Sequence, residues 1–127
     1  MTYRPARAGR DATLAIRGLP HHLVRWGPES DDPVILLHGH SDCAATFQFL
    51  ADELPAEMPL VAVDWRGFGD SARSPAGYWF PDYYADLEAL VDALCPRGPA
   101  RIVGHSMGAN VAMVYAGVRP SRVAALV

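Results

Sequence analysis

The residues best suited to chemistry form a short G-x-S-x-G pattern at positions 104–108, with Ser106 at its centre. An apolar run at positions 101–103 precedes the pattern, and an apolar stretch with helical spacing follows it. This order predicts a strand, a sharp turn and a helix. In such a turn Gly104 and Gly108 let the two backbones approach closely, and the serine hydroxyl is held in a strained, exposed position. The pattern therefore predicts Ser106 as a nucleophile that attacks a carbonyl carbon.

A helix that begins directly after the serine would also stabilise the negative charge that forms on an attacked carbonyl oxygen. The first backbone N–H groups of a helix have no carbonyl partner within the helix, and they carry the positive end of its dipole. Met107 supplies the first of these groups. We therefore expect the Met107 N–H to be one donor of an oxyanion hole.

The composition is that of a globular domain with enough apolar residues for a core. The chain has 127 residues, of which 50% are hydrophobic and 20% charged, and its net charge is −3. The sequence has no basic run that would predict binding to nucleic acid, and no apolar run of the length that spans a membrane. Because Cys43 and Cys95 are far apart and no secretory apolar segment follows the N-terminal basic residues, we expect a cytoplasmic protein with reduced thiols.

Uninterrupted apolar runs predict strands that are covered on both faces, as in a parallel sheet. Such runs lie at 34–37, 60–63, 101–103 and 123–127. Two segments with helical spacing separate them, at 47–54 and 84–94. The sequence thus predicts an α/β fold, with a mainly parallel sheet and flanking helices. Asp86, within the second helical segment, is expected to face solvent with the other acidic residues there.

The beginning of the chain is more polar. Residues 1–13 are expected to form a flexible N-terminal arm or a lead into the first strand, and the domain is expected to extend over residues 14–127. The segments 14–17 and 23–26 suit two antiparallel strands. His21 and His22 are then expected in the turn that joins them.

Three segments that follow predicted strands carry a resemblance when they are taken in order: 38–40, 64–71 and 104–108. Together they resemble the α/β-hydrolase fold superfamily, in the branch with a serine nucleophile. The resemblance covers residues 14–127 and implies the N-terminal portion of a truncated α/β-hydrolase fold, with the chain ending in the expected sixth strand.

The resemblance implies a role for each matching residue. Ser106 matches the family nucleophile, and the backbone N–H groups of His40 and Met107 match the two donors of the oxyanion hole. Four further residues match positions that hold the elbow and its neighbouring loop: Gly104, Gly108, His38 and Gly39. Arg66 and Asp70 match a loop beside the site and are expected to be structural.

The activity that the resemblance implies is that of a serine hydrolase acting on a small-molecule acyl substrate: an ester, thioester, lactone or similar compound. It implies no cofactor, and it leaves the oligomeric state open. Haloalkane dehalogenases and epoxide hydrolases are poor analogies, because those relatives use an aspartate at this position. The family order places the triad acid and the histidine after the serine, and no histidine follows Ser106 here. The base and the acid are therefore expected in a missing C-terminal part, and these 127 residues alone are expected to be inactive.

Two other functions fit parts of the sequence. His38, His40 and Asp42 approach the spacing of a metallohydrolase motif, but Cys43 stands where that motif has a further histidine. No metal site is expected. The second alternative is a non-catalytic binding module with a hydrolase fold. For His105 a packing role is expected rather than a chemical one. The aromatic residues at 78–80 could line a substrate entrance, but positions in the core are expected for them.

Overall fold

The computed structural model describes residues 2–127 and contains one six-stranded sheet, whose strands lie in the order β1-β2-β4-β3-β5-β6. The strands are β1 (Arg10–Ile16), β2 (Leu19–Trp26), β3 (Val34–Leu37), β4 (Leu60–Val63), β5 (Ala100–Gly104) and β6 (Val123–Leu126). Strands β4, β3, β5 and β6 run parallel, whereas β1 pairs with β2, and β2 with β4, in antiparallel fashion. The mainly parallel sheet predicted from the sequence is confirmed.

Three α-helices cover the sheet: α1 (Gln48–Glu53), α2 (Phe80–Leu94) and α3 (Met107–Val118). Short 3-10 turns, Ala44–Phe47 and Pro120–Arg122, precede α1 and β6. Within residues 2–127 no helix combines the length and the hydropathy needed to cross a membrane.

The central strands are buried on both faces, which explains why their sequences are continuously apolar. In β3, Ile35 and Leu37 belong to the cluster that includes residues of α2 and α3. Leu36 belongs to a second cluster, which contains Ala51 of α1. Neighbouring residues of a strand point to opposite faces, so both faces of β3 need apolar side chains.

The N-terminal segment differs from the predicted flexible arm. Strand β1 begins at Arg10, so residues 10–13 belong to the sheet. The side chain of Arg7 is buried and donates hydrogen bonds to the carbonyl oxygens of Ala51 (3.1 Å), Ala56 (3.0 Å) and Met58 (2.8 Å). These bonds satisfy carbonyls around the end of α1, and they fix the segment before β1 against the domain.

The turn between β1 and β2 also differs from the prediction, because it consists of only Arg17 and Gly18. Both have positive φ, 49° and 81° respectively, as tight two-residue hairpin turns require. His21 and His22 therefore lie within strand β2 and not in the turn.

Asp86 was expected to face solvent and is instead completely buried. Its carboxylate accepts two hydrogen bonds from the Arg66 guanidinium, each 2.6 Å long, and a third from Arg17 at 3.1 Å. The His21 Nε2 atom lies 3.4 Å from the same carboxylate. Burial raises the pKa of Asp86, but the nearby His21 ring and the bonds from Arg66 outweigh burial and hold this pKa below its usual value. The buried ion pair between Asp86 and Arg66 thus connects helix α2 to the loop that follows β4.

Candidate active site

Ser106 occupies the sharp junction between β5 and α3, with φ of 53° and ψ of −113°. Its backbone lies in a positive-φ region that a non-glycine residue seldom adopts. The serine is exposed, and it immediately precedes the first residue of α3. The strand, turn and helix predicted around the serine are therefore present, and the turn is strained at the predicted nucleophile.

The glycines on either side of Ser106 stand where backbones meet. A Cβ atom on Gly104 would lie 2.6 Å from the Cα of Ala109, and one on Gly108 would lie 2.8 Å from the carbonyl oxygen of His38. Real Cβ atoms do not approach other atoms so closely. Both positions thus exclude a side chain, which gives a packing reason for the G-x-S-x-G pattern.

The loop after β3 lies directly against this turn. The backbone N–H of His105 donates to the carbonyl oxygen of Leu37 at 2.9 Å, and a Cβ atom on Gly39 would lie 3.1 Å from that of Ser106. This contact brings His40, the residue after Gly39, to the same side of the sheet as Met107, and the two residues line one pocket. The two residues predicted as oxyanion donors therefore lie in the loop after β3 and at the start of α3, and these two segments meet at Ser106.

His38 holds the loop after β3 from within the protein. Its buried ring donates from Nδ1 to the carbonyl oxygen of Gly39 (2.7 Å) and accepts at Nε2 from the backbone N–H of Trp65 (3.1 Å). The Trp65 indole N–H donates in return to the His38 carbonyl oxygen at 3.0 Å. Burial lowers the pKa of His38, which favours the neutral ring that this pattern needs. Both ring nitrogens bond to the backbone, so this histidine is poorly placed to bind a metal.

The structure brings together a different set of potential metal ligands from the set considered in the sequence. Among residues 2–127, His22, Asp64 and Asp70 have ligand atoms within 4.8 Å of one another. His22 already bonds to Asp64 through Nδ1 and to Asp11 through Nε2, each at 2.8 Å. These protein hydrogen bonds account for the cluster without an ion.

Asp64 is a residue that sequence reasoning overlooked. Its buried carboxylate accepts hydrogen bonds from the backbone N–H groups of Ala44 (2.6 Å) and Asp70 (2.9 Å), so it holds the 3-10 turn and the loop after β4 together. Gly69, with φ of 49°, has no room for a side chain because the Asp64 carboxylate lies against it. The sequence signal that could have identified Asp64 is an aspartate at the end of a predicted strand, followed by Gly67 and Gly69.

The pairing of His22 predicts an unusual dependence of stability on pH. Burial lowers the pKa of His22, but its bonds to Asp11 and Asp64 outweigh burial and raise this pKa above its ordinary value. A raised histidine pKa stabilises the fold fully below the unfolded pKa, and this contribution is lost as pH rises through the folded pKa. We therefore expect His22→Gln to lower the free energy of unfolding more at about pH 5.5 than at about pH 8.5.

Urea denaturation of both proteins at the two pH values checks this expectation. A larger cost of His22→Gln at the higher pH would contradict the assignment.

A pocket of about 260 Å³ opens beside the turn. It is lined by His40, Gly67, Phe68, Tyr78, Trp79, Phe80, Tyr83 and Met107. The aromatic residues at 78–80 were expected to belong to the core, but they are 48%, 66% and 48% exposed. They form part of the pocket wall, because their loop crosses the end of the sheet where the turn lies.

No histidine ring within residues 2–127 hydrogen-bonds to the Ser106 hydroxyl. His21 bonds through Nδ1 to Leu19, and the Nδ1 atom of His40 lies 2.9 Å from the Ser41 hydroxyl oxygen. His105, expected to pack, is exposed beside the serine. The described residues thus provide a strained serine and neighbouring backbone donors, without a general base in contact with it.

Comparison with known proteins agrees with this geometry. The sequence model of the alpha/beta hydrolase fold family matches residues 32–127. A serine hydrolase-like protein of Danio rerio is 41% identical over 104 residues, which are 80% of this chain and 32% of the relative. Lipase LipV of Mycobacterium tuberculosis is 41% identical over 109 residues, 84% of this chain and 40% of the lipase. The chain thus spans about two fifths or less of the length of these relatives.

Solved structures give the same result. A thioesterase domain from the curacin biosynthetic pathway superimposes with a TM-score of 0.85 at 30% identity, over 94% of this chain and 45% of that domain. An E-2-(acetamidomethylene)succinate hydrolase gives 0.82 at 29% identity, over 94% of this chain and 43% of the hydrolase. From the family match, these likenesses and the turn at Ser106, we conclude that the chain belongs to the alpha/beta hydrolase fold family.

Proposed function

We propose that this chain is the nucleophile-bearing portion of a serine hydrolase that cleaves a small-molecule acyl compound through an acyl-enzyme on Ser106. The observation that carries the proposal is the positive φ of 53° at an exposed serine between β5 and α3. Strain of this kind persists where the surrounding structure imposes it, and it is concentrated at functional sites. Glycine at position 106 would relieve this strain, yet the chain has a serine, with its hydroxyl, at this position.

In the proposed reaction the Ser106 oxygen bonds to the substrate carbonyl carbon, and a general base takes the hydroxyl proton. The negative oxygen is stabilised by the backbone N–H groups of Met107 and His40. The base then gives the proton to the departing alcohol or thiol as its bond to the carbonyl carbon breaks. Water attacks the acyl-enzyme in the same way and releases the acid.

We further propose that the base and its orienting acid come from chain segments outside the described residues. Two observations support this. The histidines described above bond elsewhere or lack contact with the Ser106 hydroxyl, and the curated relatives are two to three times as long as their matched regions. Several relatives carry names that fit the chemistry, including a probable serine hydrolase of Drosophila melanogaster that is 30% identical.

A cytoplasmic location is part of the proposal. Both cysteines are free thiols, with Cys95 buried and Cys43 partly so. Reduced, unpaired cysteines suit a reducing compartment.

Labelling with a fluorophosphonate tests the proposed nucleophile. In the full protein that contains this chain, we expect the probe to modify Ser106 and the label to disappear in Ser106→Ala, because the probe reacts with an activated serine. Peptide mass spectrometry after digestion identifies the labelled residue. Ser121→Ala, which removes an exposed serine from the 3-10 turn after α3, is the matched control and should label as the wild type does. A label on another serine would exclude Ser106 as the nucleophile.

A further inference from the structure

The walls of the pocket beside Ser106 are mainly aromatic. Five of the eight lining residues are Phe, Tyr or Trp, and none is Asp, Glu, Lys or Arg. The oxyanion residues His40 and Met107 line the same pocket. A substrate carbonyl held at those two N–H groups would therefore have this aromatic space next to it.

The aromatic wall is held in place by contacts within the protein. The Phe68 ring meets the rings of His38 and His40 edge-on, at centroid distances of 5.6 and 5.4 Å. Phe80 meets Tyr83 edge-on at 6.1 Å, and Tyr83 is 5% exposed. Rings that are packed in this way present fixed faces and edges to a ligand.

The polar atoms of the wall are largely occupied by protein partners. The Tyr83 hydroxyl donates to the carbonyl oxygen of Arg66 at 3.3 Å, and the Tyr78 hydroxyl accepts from the backbone N–H of Ser74 at 3.1 Å. The Nδ1 atom of His40 lies 2.9 Å from the Ser41 hydroxyl oxygen. What the wall offers a ligand is mainly ring surface, and a charged group placed there would lose water without gaining an ionic partner.

We propose that this pocket binds the acyl part of the substrate as an uncharged aryl group, and that Trp79 at its rim is a specificity-determining residue. The inference rests on the proposed function, since it takes the reacting carbonyl to lie at Met107 and His40. Stacked and edge-on contacts between aromatic rings favour an aryl group over an aliphatic group of similar size. Trp79 is 66% exposed and lines the pocket, so a bound aryl group would cover it.

Binding of three unreactive amides to the full protein, measured by ligand-detected NMR titration, tests the proposal. The probes are phenylacetamide, hexanamide and the singly charged succinamate. We expect phenylacetamide to bind about fivefold more tightly than hexanamide, and succinamate to bind more weakly than both. Equal binding of the two neutral amides, or preference for succinamate, would overturn the proposal.

Variants of residues that line the pocket test where phenylacetamide binds. Trp79→Ala and Phe68→Ala are expected to weaken phenylacetamide about three- to tenfold. Phe49→Ala, which removes a 63% exposed aromatic residue on α1, is the matched control and should leave the affinity unchanged. Trp79 is exposed, so its variant remains informative if Phe68→Ala does not fold. Unchanged affinity in Trp79→Ala would overturn the role of this residue.

The two proposals fail in different ways. Ser106→Ala should still bind phenylacetamide, since binding of the amide needs no nucleophile. Labelling of Ser106 without aryl preference would refute the pocket assignment alone. Aryl preference without labelling would refute the proposed nucleophile alone.

Discussion

Ser106→Ala in the full protein is expected to lower kcat/KM for an activated ester by about 10⁴- to 10⁶-fold. Without the hydroxyl no acyl-enzyme forms, and only the backbone donors remain to assist direct attack by water. Steady-state hydrolysis of p-nitrophenyl phenylacetate, followed at 25 °C, measures the loss. Ser121→Ala should leave the rate unchanged. A loss smaller than about tenfold in Ser106→Ala would mean that another residue forms the covalent bond.

The chain of 127 residues by itself should show no turnover dependent on Ser106. No histidine ring among residues 2–127 hydrogen-bonds to its serine hydroxyl, and a serine hydroxyl without a base is a weak nucleophile. Ester hydrolysis by these residues alone, lost on Ser106→Ala, would show that the base lies within them.

Asp86→Ala is expected to lower the free energy of unfolding by about 3 kcal/mol, because it removes the main partner of the buried Arg66 and leaves only the Asp82 carboxylate, 3.6 Å away, near its charge. Arg66 is 5% exposed and makes both of its shortest bonds to Asp86. Equilibrium denaturation in urea measures the change. Domains of this size have total stabilities of about 5–15 kcal/mol, so the variant should be close to unfolding.

Asp92→Ala provides the control on the same helix. Asp92 also pairs with an arginine, Arg122, at 3.0 Å, but its side chain is 66% exposed. Exposed pairs contribute at most about 1 kcal/mol, so this variant should be nearly as stable as the wild type. Equal losses of unfolding free energy in Asp86→Ala and Asp92→Ala would contradict the difference expected between a buried and an exposed ion pair. The double variant Asp86→Leu with Arg66→Met should recover part of the loss, since both buried charges are then absent.

The strands at the centre of the fold could be predicted because all of their consecutive residues are apolar. Four adjacent apolar residues in β3 and in β4 leave no polar face, and this pattern requires cover on both sides. The helix after Ser106 was predictable for a similar reason. Its glycine and serine signals lie within five residues, so no distant contact is needed to recognise them.

The predictions that were wrong depended on residues far apart in the chain. The spacing along α2 predicts that Asp86 lies on the solvent-exposed face of the helix. Its burial is favourable only because Arg66 and Arg17, from other segments of the chain, form ion pairs with its carboxylate. Residues 10–13 are too polar to suggest a strand, and they become one by pairing with β2. In the same way, Trp79 is an apolar residue whose sequence favours the core, and the course of its loop decides that it lines a pocket instead.

The site was predictable to the extent that its residues are neighbours in sequence. Ser106 and Met107 belong to one pattern, whereas His40 could be assigned only through the resemblance to a family, because its approach to Ser106 depends on the parallel pairing of β3 with β5. Asp64 was not recognised, since its hydrogen bonds reach across three segments of the chain.

The backbone conformation at Ser106 also bears on how this protein could evolve. Glycine adopts positive φ without the steric penalty that serine incurs, so a lineage released from selection for hydrolysis could gain stability by drifting to glycine at this one position. Alanine would bring no such gain, because it keeps the Cβ atom. Serine thus carries a conformational cost at this position that glycine would not, which is the pattern expected where a strained residue is kept for its side chain.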